Sequence, residues 1–244
     1  MRSEAAMREL IVKLLPPLLT ETLKAARDKR RRYFGLNDID AKLEKYIDFD
    51  DGYFVELGAN NGVSQSNTLY FERYRHWRGV LIEPVLHNYF QCKANRSQAT
   101  RIFCNACTSF EYKEQFVPIA YSNLMSTPIG VESDVSDPLT HARIGRSFLD
   151  ATHDNVVFGA MARTLNSILV EAGAPPRIDL LSLDVEGGEI EVLKGIDHGK
   201  YRFRYMCIEC REVDRLAAFL ETHGYQLVDR LSIQDYLFQS RREP

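Results

Sequence analysis

The sequence predicts an α/β fold: a Rossmann-like, doubly wound and mostly parallel seven-stranded sheet with a C-terminal antiparallel hairpin. Two observations lead to this class. Short apolar runs alternate with longer polar stretches of helical spacing, as in repeated strand–helix units. The last two runs, 226–231 and 235–239, are separated by only a few residues, which permits an antiparallel hairpin but no parallel crossover.

The predicted strands before the hairpin are apolar on both faces, which is typical of parallel strands covered by helices on each side. They span residues 53–57, 80–82, 101–104, 178–183 and 205–208. Helices are predicted over 41–47 and 87–95.

Two regions depart from this alternation of strands and helices. Residues 1–46 predict an N-terminal helical arm, with leucines at helical spacing, a break at Pro16-Pro17 and a basic run over 29–32. The arm can contact an anionic membrane surface. It can also pack on its own domain or on a second subunit, and we favour packing over the membrane contact. Within the main domain, 47–244, the stretch of about 110–160 predicts an irregular insert that acts as a substrate lid.

Composition excludes several classes of protein. Apolar residues make up 45% of the 244 positions, which is enough to bury a sizeable core. The net charge of −3 and the pI near 6.1 argue against a nucleic-acid partner. The apolar runs are shorter than the roughly 20 residues that span a bilayer, and Glu4 and Glu9 lie where a secretory signal is basic. We therefore expect a cytoplasmic protein.

The cysteines form two pairs with a spacing that zinc sites also use, Cys104/Cys107 and Cys207/Cys210. Both pairs lie in segments predicted as strands, where residues three apart point to opposite faces. Reduced core thiols are therefore favoured over a zinc site.

The first strand leads into a glycine turn. Gly58 and Gly62 allow the backbone to bend sharply and to approach a ligand closely. The dinucleotide pattern GxGxxG fails at Asn60 and Val63, which disfavours an NAD-dependent oxidoreductase. With Glu56 in front, the remaining pattern matches the acid-x-Gly-x-(Gly/Asn)-x-Gly turn of enzymes that bind S-adenosylmethionine (SAM), although a purely structural turn would use the same glycines.

Glu83 ends the second strand about 20 residues after this turn, where α/β nucleotide-binding folds place a carboxylate on the ribose hydroxyls. Its two oxygens can accept hydrogen bonds from both hydroxyls. The alternative is a solvated strand end with no ligand.

A cluster of acids follows the fourth strand. Asp184 and Glu186 are two residues apart, so an extended backbone directs both carboxylates to one side. They can hold the methionine amine of SAM, act as a general base, or bind a divalent cation through oxygen. Asp184 is the first candidate for the catalytic base and Glu186 the second, followed by His141 and His153.

Three segments resemble motifs of the FkbM-type methyltransferases: 54–68, 77–84, and 164–169 followed by 178–189. The resemblance implies a SAM-dependent O-methyltransferase that acts on a hydroxyl of a sugar, a glycan or a small hydroxylated metabolite. A catalytically inactive SAM-binding scaffold is the alternative, although the intact acids at 56, 83, 184 and 186 argue against it. The expected cofactor-binding residues are Glu56, Gly58, Asn60, Gly62, Asn67, Thr68, Glu83, Pro84, Asn105, Ala106 and Asp184.

Overall fold

The computed structural model describes residues 32–149 and 154–241, and those from Phe34 onwards belong to one compact unit. Most of the predicted arm lies outside these residues, and so do its expected membrane or subunit contacts and His153. The arm and its boundary at residue 46 stay predictions. None of the helices in the described part of the chain is long and apolar enough to cross a bilayer.

Strands and helices alternate along most of the described chain. The strands are β1 (Tyr53–Leu57), β2 (Arg78–Ile82), β3 (Arg101–Phe103), β4 (Ala106–Thr108), β5 (Phe116–Ala120), β6 (Thr127–Pro128), β7 (Val157–Thr164), β8 (Arg177–Leu183), β9 (Arg202–Glu209), β10 (Tyr225–Arg230) and β11 (Asp235–Ser240). The α-helices are α1 (Ile39–Leu43), α2 (Leu69–Tyr74), α3 (Leu86–Asn95), α4 (Pro138–Ile144), α5 (Leu165–Ala172), α6 (Glu189–Leu193) and α7 (Val213–Thr222). Short 3-10 turns lie at Leu36–Asp38, Asn123–Met125 and Gly145–Phe148.

The main sheet has seven strands in the order β3-β2-β1-β8-β9-β11-β10. Its first five strands are parallel, whereas β11 is antiparallel to both β9 and β10. The strand order reverses between β1 and β8, because the chain first winds outward to β3 and then returns to the middle of the sheet. The predicted Rossmann-like sheet with its C-terminal hairpin is confirmed.

Both faces of the central strands are buried. Val55 and Leu57 of β1 pack in one apolar cluster with residues of α5, α6 and α7. Phe54, which points the other way, is also fully buried. Burial on both faces explains why these strands read as unbroken apolar runs rather than alternating ones.

The insert is not irregular, and this part of the prediction was wrong. Residues 110–160 contribute β5, β6, α4 and the start of β7, and a second sheet forms in the order β4-β7-β5-β6. Val117 and Ile119 are buried on one face of β5, whereas Phe116 and Pro118, which alternate with them, are exposed. A strand buried on one face alternates between apolar and exposed positions, and here an exposed phenylalanine and a proline conceal that alternation.

All five cysteines are free thiols. The residues that the structure describes contain no cluster of three or more His, Cys, Asp or Glu side chains that could hold a metal ion.

Candidate functional site

The carboxyl ends of the central strands meet at one edge of the main sheet. Leu57 of β1 is in register with Ile82 of β2 and with Leu183 of β8, so Gly58, Glu83 and Asp184 follow side by side. Parallel α/β sheets bind ligands outside this edge, at the point where the strand order reverses. A cavity of about 310 Å³ opens there, between the main sheet and the insert.

Eight of the predicted site residues line this cavity: Gly58, Asn60, Glu83, Pro84, Asn105, Ala106, Asp184 and Glu186. The other four, Glu56, Gly62, Asn67 and Thr68, are not among its lining residues. Gly62 is part of the glycine turn itself, and Glu56, Asn67 and Thr68 belong to the hydrogen-bond network that holds it.

Gly58 cannot be replaced by a larger residue without moving the backbone. Its φ of +77° is in the left-handed region, and a Cβ at this position would lie 1.8 Å from the carbonyl oxygen of Asp184. The turn therefore brings the ends of β1 and β8 into direct backbone contact.

Glu56 anchors the turn from inside the protein. Its carboxylate accepts hydrogen bonds from the Ser66 and Thr68 hydroxyls, from the backbone N–H of Asn67, and from the guanidinium of Arg96. Glu56 is only 4% exposed, and the side chain of Arg96 is fully buried. A buried carboxylate that is paired and hydrogen-bonded in this way stabilises the turn instead of facing a ligand.

Arg96 extends the same network. Its guanidinium also donates to the carbonyl oxygen of Gly62, to the Thr68 hydroxyl and to the carboxylate of Glu72 in α2. One side chain therefore joins the loop after β1 to the helix that follows it.

Glu83 combines a cavity position with a buried carboxylate. Its oxygens accept hydrogen bonds from the backbone N–H groups of Asn60 and Val85, at 2.8 and 2.9 Å. Burial raises the pKa of Glu83 to about 7, although these hydrogen bonds lower it. A side-chain hydrogen bond from Asn88 lowers the pKa as well, and because an ionised carboxylate has about four acceptor positions, Glu83 keeps acceptor capacity for a hydroxyl group of a ligand.

Asp184 lies beside a second acid, Glu209, which ends β9 and also lines the cavity. Burial raises the pKa of Asp184 well above its usual range, and the neighbouring carboxylates, Glu209 first, raise it further. Burial raises the pKa of Glu209 as well, and a hydrogen bond shared with the Asp184 carboxyl lowers it. Two acids in contact share protons in this way, because like charges at close range cannot both ionise easily.

Glu186, the second catalytic candidate, is already engaged. Its Oε2 lies 2.9 Å from a guanidinium nitrogen of Arg211 and 2.8 Å from Nε2 of His141. Arg211 is also bound by Asp134, an insert residue. Oε2 of Glu186 is already bound by Arg211 and His141, so the predicted metal role of Asp184 and Glu186 finds no support in this donor set.

Glu189 and Glu191, the two acids that follow Glu186 in the sequence, accept hydrogen bonds from backbone N–H groups. Glu189 accepts hydrogen bonds from the N–H groups of Val185 and Gly187 and so closes the turn after Asp184. Glu191 accepts from the N–H of Ser109 at the end of β4.

Several cavity residues were not predicted from the sequence. Glu209 carries a recognisable signal, because it follows an apolar strand as Glu83 and Asp184 do. Asn123 and Phe148 come from the insert, for which no secondary structure was predicted. The amide oxygen of Asn123 accepts a hydrogen bond from the Asn60 side chain. Asn105 lines the cavity as expected, and its amide donates to the carbonyl oxygen of Met161.

Two solved structures resemble most of the chain at low identity. A methyltransferase from Geobacter sulfurreducens is 13% identical, with a TM-score of 0.43 and coverage of 98% of this chain and 96% of that one. A human methyltransferase 10 domain containing protein is 12% identical, with a TM-score of 0.44 and coverage of 84% and 83%. Likenesses this distant add nothing to the fold assignment, which rests on the strand order. No curated protein matches the chain significantly.

The Methyltransferase FkbM domain family matches residues 56–227, from the glycine turn to the first strand of the hairpin. This range contains the three strand ends that form the cavity edge. Methyltransferases of this family use SAM as the methyl donor. The match covers well over half of the sequence, and the chain therefore belongs to the FkbM methyltransferase family.

Proposed function

We propose that the protein transfers the methyl group of SAM to a hydroxyl of a sugar, a glycan or another small hydroxylated molecule. The observation that carries this proposal is the pair of contacting carboxyls, Asp184 and Glu209, which line the cavity at neighbouring strand ends. A hydroxyl is a weak nucleophile, so its methylation benefits from a base that accepts the hydroxyl proton. A carboxylate whose pKa is raised accepts a proton better than an ordinary aspartate.

The residues at the other end of the cavity fit SAM. Glu83 would accept hydrogen bonds from the ribose hydroxyls, while Ile82, Ala106, Val117 and Ile119 offer apolar surface for a purine ring. Bound there, SAM supplies a methyl group on a positively charged sulfur, so that the chain's main task is to align and deprotonate the acceptor.

The insert supports the acceptor part of the proposal. It contributes Asn123, Ser126 and Phe148 to the cavity. Amide and hydroxyl groups suit an acceptor with several hydroxyls, because each of them can donate or accept hydrogen bonds. The role of residues 110–160 as a substrate lid remains part of this proposal.

A methyl-transfer assay with labelled SAM tests the proposal against a panel of glycans, nucleotide sugars and small hydroxylated metabolites. We expect label on an oxygen of at least one acceptor, and Asp184→Asn should lose this transfer while it still binds S-adenosylhomocysteine (SAH). Label on nitrogen or carbon of the product, or full turnover by the Asp184→Asn variant, would contradict it.

A further inference from the structure

An ion pair spans the same two strand ends as Asp184 and Glu209. Glu186 and Arg211 each lie two residues beyond one of these acids, and β8 and β9 are hydrogen-bonded neighbours. The guanidinium of Arg211 donates to Glu186 over 2.9 Å. The pair therefore bridges β8 and β9 directly beyond the carboxyls proposed to act on the acceptor.

Arg211 also binds the insert. Its backbone N–H donates to one carboxylate oxygen of Asp134 at 2.7 Å, and its guanidinium reaches the other oxygen at 3.3 Å. The backbone N–H of Asp134 in turn donates to the carbonyl oxygen of Gly187, in the turn after β8. A single side chain thus contacts the ends of both strands and the segment that covers them.

The turn itself depends on these contacts for its shape. Glu186 has a φ of +57°, a left-handed conformation that is strained for a glutamate. The next residue, Gly187, has a φ of +105°, and a Cβ there would lie 2.5 Å from Oγ of Ser133 in the insert. A strained backbone persists only where its surroundings hold it, and here Arg211 and His141 hold the Glu186 side chain.

We propose that Arg211 is a positioning residue: through Glu186 and Asp134 it fixes the turn after β8 and seats the insert, so that Asp184 and Glu209 face one point of the cavity. Its effect on turnover rests on the proposed function, whereas its effect on the insert does not. Arg211 is half-buried, with 24% of its side chain exposed, so these charged contacts are only partly screened by solvent.

Arg211→Met and Arg211→Lys test this role in the full chain by three measurements. Amide hydrogen exchange over 131–144 should rise about tenfold in Arg211→Met, the size expected for a lost charge-assisted hydrogen bond, and Arg211→Lys should restore part of the protection. With the acceptor found in the panel, kcat should fall about a hundredfold in Arg211→Met. Affinity for SAH, measured by calorimetry, should change by less than about threefold, because the donor end lies on β1 and β2.

Arg241→Met is the matched control, since Arg241 is also paired with a carboxylate, that of Glu221, on an exposed surface. It should change none of the three readouts. Should Arg211→Met fail to fold, Glu186→Gln removes the same pairing charge with little change of shape, and the same faster exchange is expected.

Unchanged exchange over 131–144 in Arg211→Met would overturn the proposal, and so would an equal loss of SAH affinity and kcat. A wild-type protein that binds no SAH would instead contradict the proposed function, and the exchange comparison would still decide the role of Arg211.

Discussion

At the ends of β1 and β2 the carboxylates of Glu56 and Glu83 accept hydrogen bonds from the loops around them, whereas at the ends of β8 and β9 those of Asp184 and Glu209 lie against each other. Glu56 is the last residue but one of β1, Glu83 and Asp184 directly follow β2 and β8, and Glu209 ends β9. The first two are surrounded by donors, and Glu56 is also paired with Arg96.

This difference separates the two carboxylates that hydrogen-bond donors hold in place, of which only Glu83 also lines the cavity, from the pair proposed to act on the acceptor. Removal of a carboxylate that accepts hydrogen bonds from buried donors lowers the free energy of unfolding, because these donors then stay buried without a hydrogen bond. A carboxylate beside a like charge is destabilised in its ionised form, and active sites use such pairs to bring a pKa near neutrality. The predictions below test this distinction.

Asp184→Asn should have the largest effect on activity. We expect turnover to fall about a thousandfold, within the range for loss of a general base, with SAH affinity largely kept. Because burial and Glu209 raise the pKa of Asp184, its ionised form costs stability as the pH rises through that raised value. The variant should therefore melt at a higher temperature than the wild type at pH 8, and a lower melting temperature there would argue for a structural role.

Arg96→Met should have the largest effect on stability. The substitution leaves Glu56 and Glu72 buried without their partner, which typically lowers the free energy of unfolding by about 3–5 kcal/mol. Denaturant unfolding measures this loss, and SAH affinity should fall with it because the glycine turn is released. Arg75→Met is a suitable control, since Arg75 pairs with Glu44 and Asp50 away from the cavity. Equal losses in both variants would contradict a special role for Arg96.

The parallel sheet could be predicted from the sequence because strands that are buried on both faces consist mostly of apolar residues. β1 was predicted with its observed bounds, β8 begins one residue before its predicted start, and β9 extends the predicted 205–208 to Arg202–Glu209, because the apolar residues mark the centres of these strands. β5 and β7 were missed, since each is covered on one face only and carries exposed apolar residues such as Phe116 and Met161.

Strand topology also decides which residues of the site could be predicted from the sequence. Positions at strand ends, such as Glu83 and Asp184, follow from topology, because parallel strands end at one edge. The partner of a carboxylate does not follow from topology. Nothing near Glu56 in the sequence indicates Arg96, which lies 40 residues further along, and nothing near Glu186 indicates His141. The roles of these acids therefore required the structure.

Glu83→Gln should lower SAH affinity without a comparable loss of stability. One acceptor oxygen is replaced by an amide donor, so a charge-assisted hydrogen bond to a ribose hydroxyl is lost, and we expect affinity to fall about tenfold to a hundredfold. Calorimetry measures the change. Asn105→Ala, at the same end of the cavity, offers a comparison without a change of charge. Wild-type affinity in Glu83→Gln would remove this residue from the ribose site.

The pH dependence of SAH binding should be the smallest effect. Burial raises the pKa of Glu83 to about 7, so the carboxylate is ionised above this pH and protonated below it. Since the ionised form accepts hydrogen bonds from both hydroxyls, affinity should fall severalfold as the pH drops from about 8 to about 6. In Glu83→Gln this dependence should largely disappear, and a full dependence in that variant would assign it to another group.

A crystal structure of the SAH complex tests most directly whether Glu83 binds the methyl donor while Asp184 and Glu209 face the reacting sulfur. We expect the ribose hydroxyls within hydrogen-bond distance of Glu83, the sulfur directed toward Asp184 and Glu209, and no contact between the ligand and Glu56. SAH bound through Glu56, or with its sulfur directed away from the ends of β8 and β9, would contradict this account of how the chain uses its carboxylates.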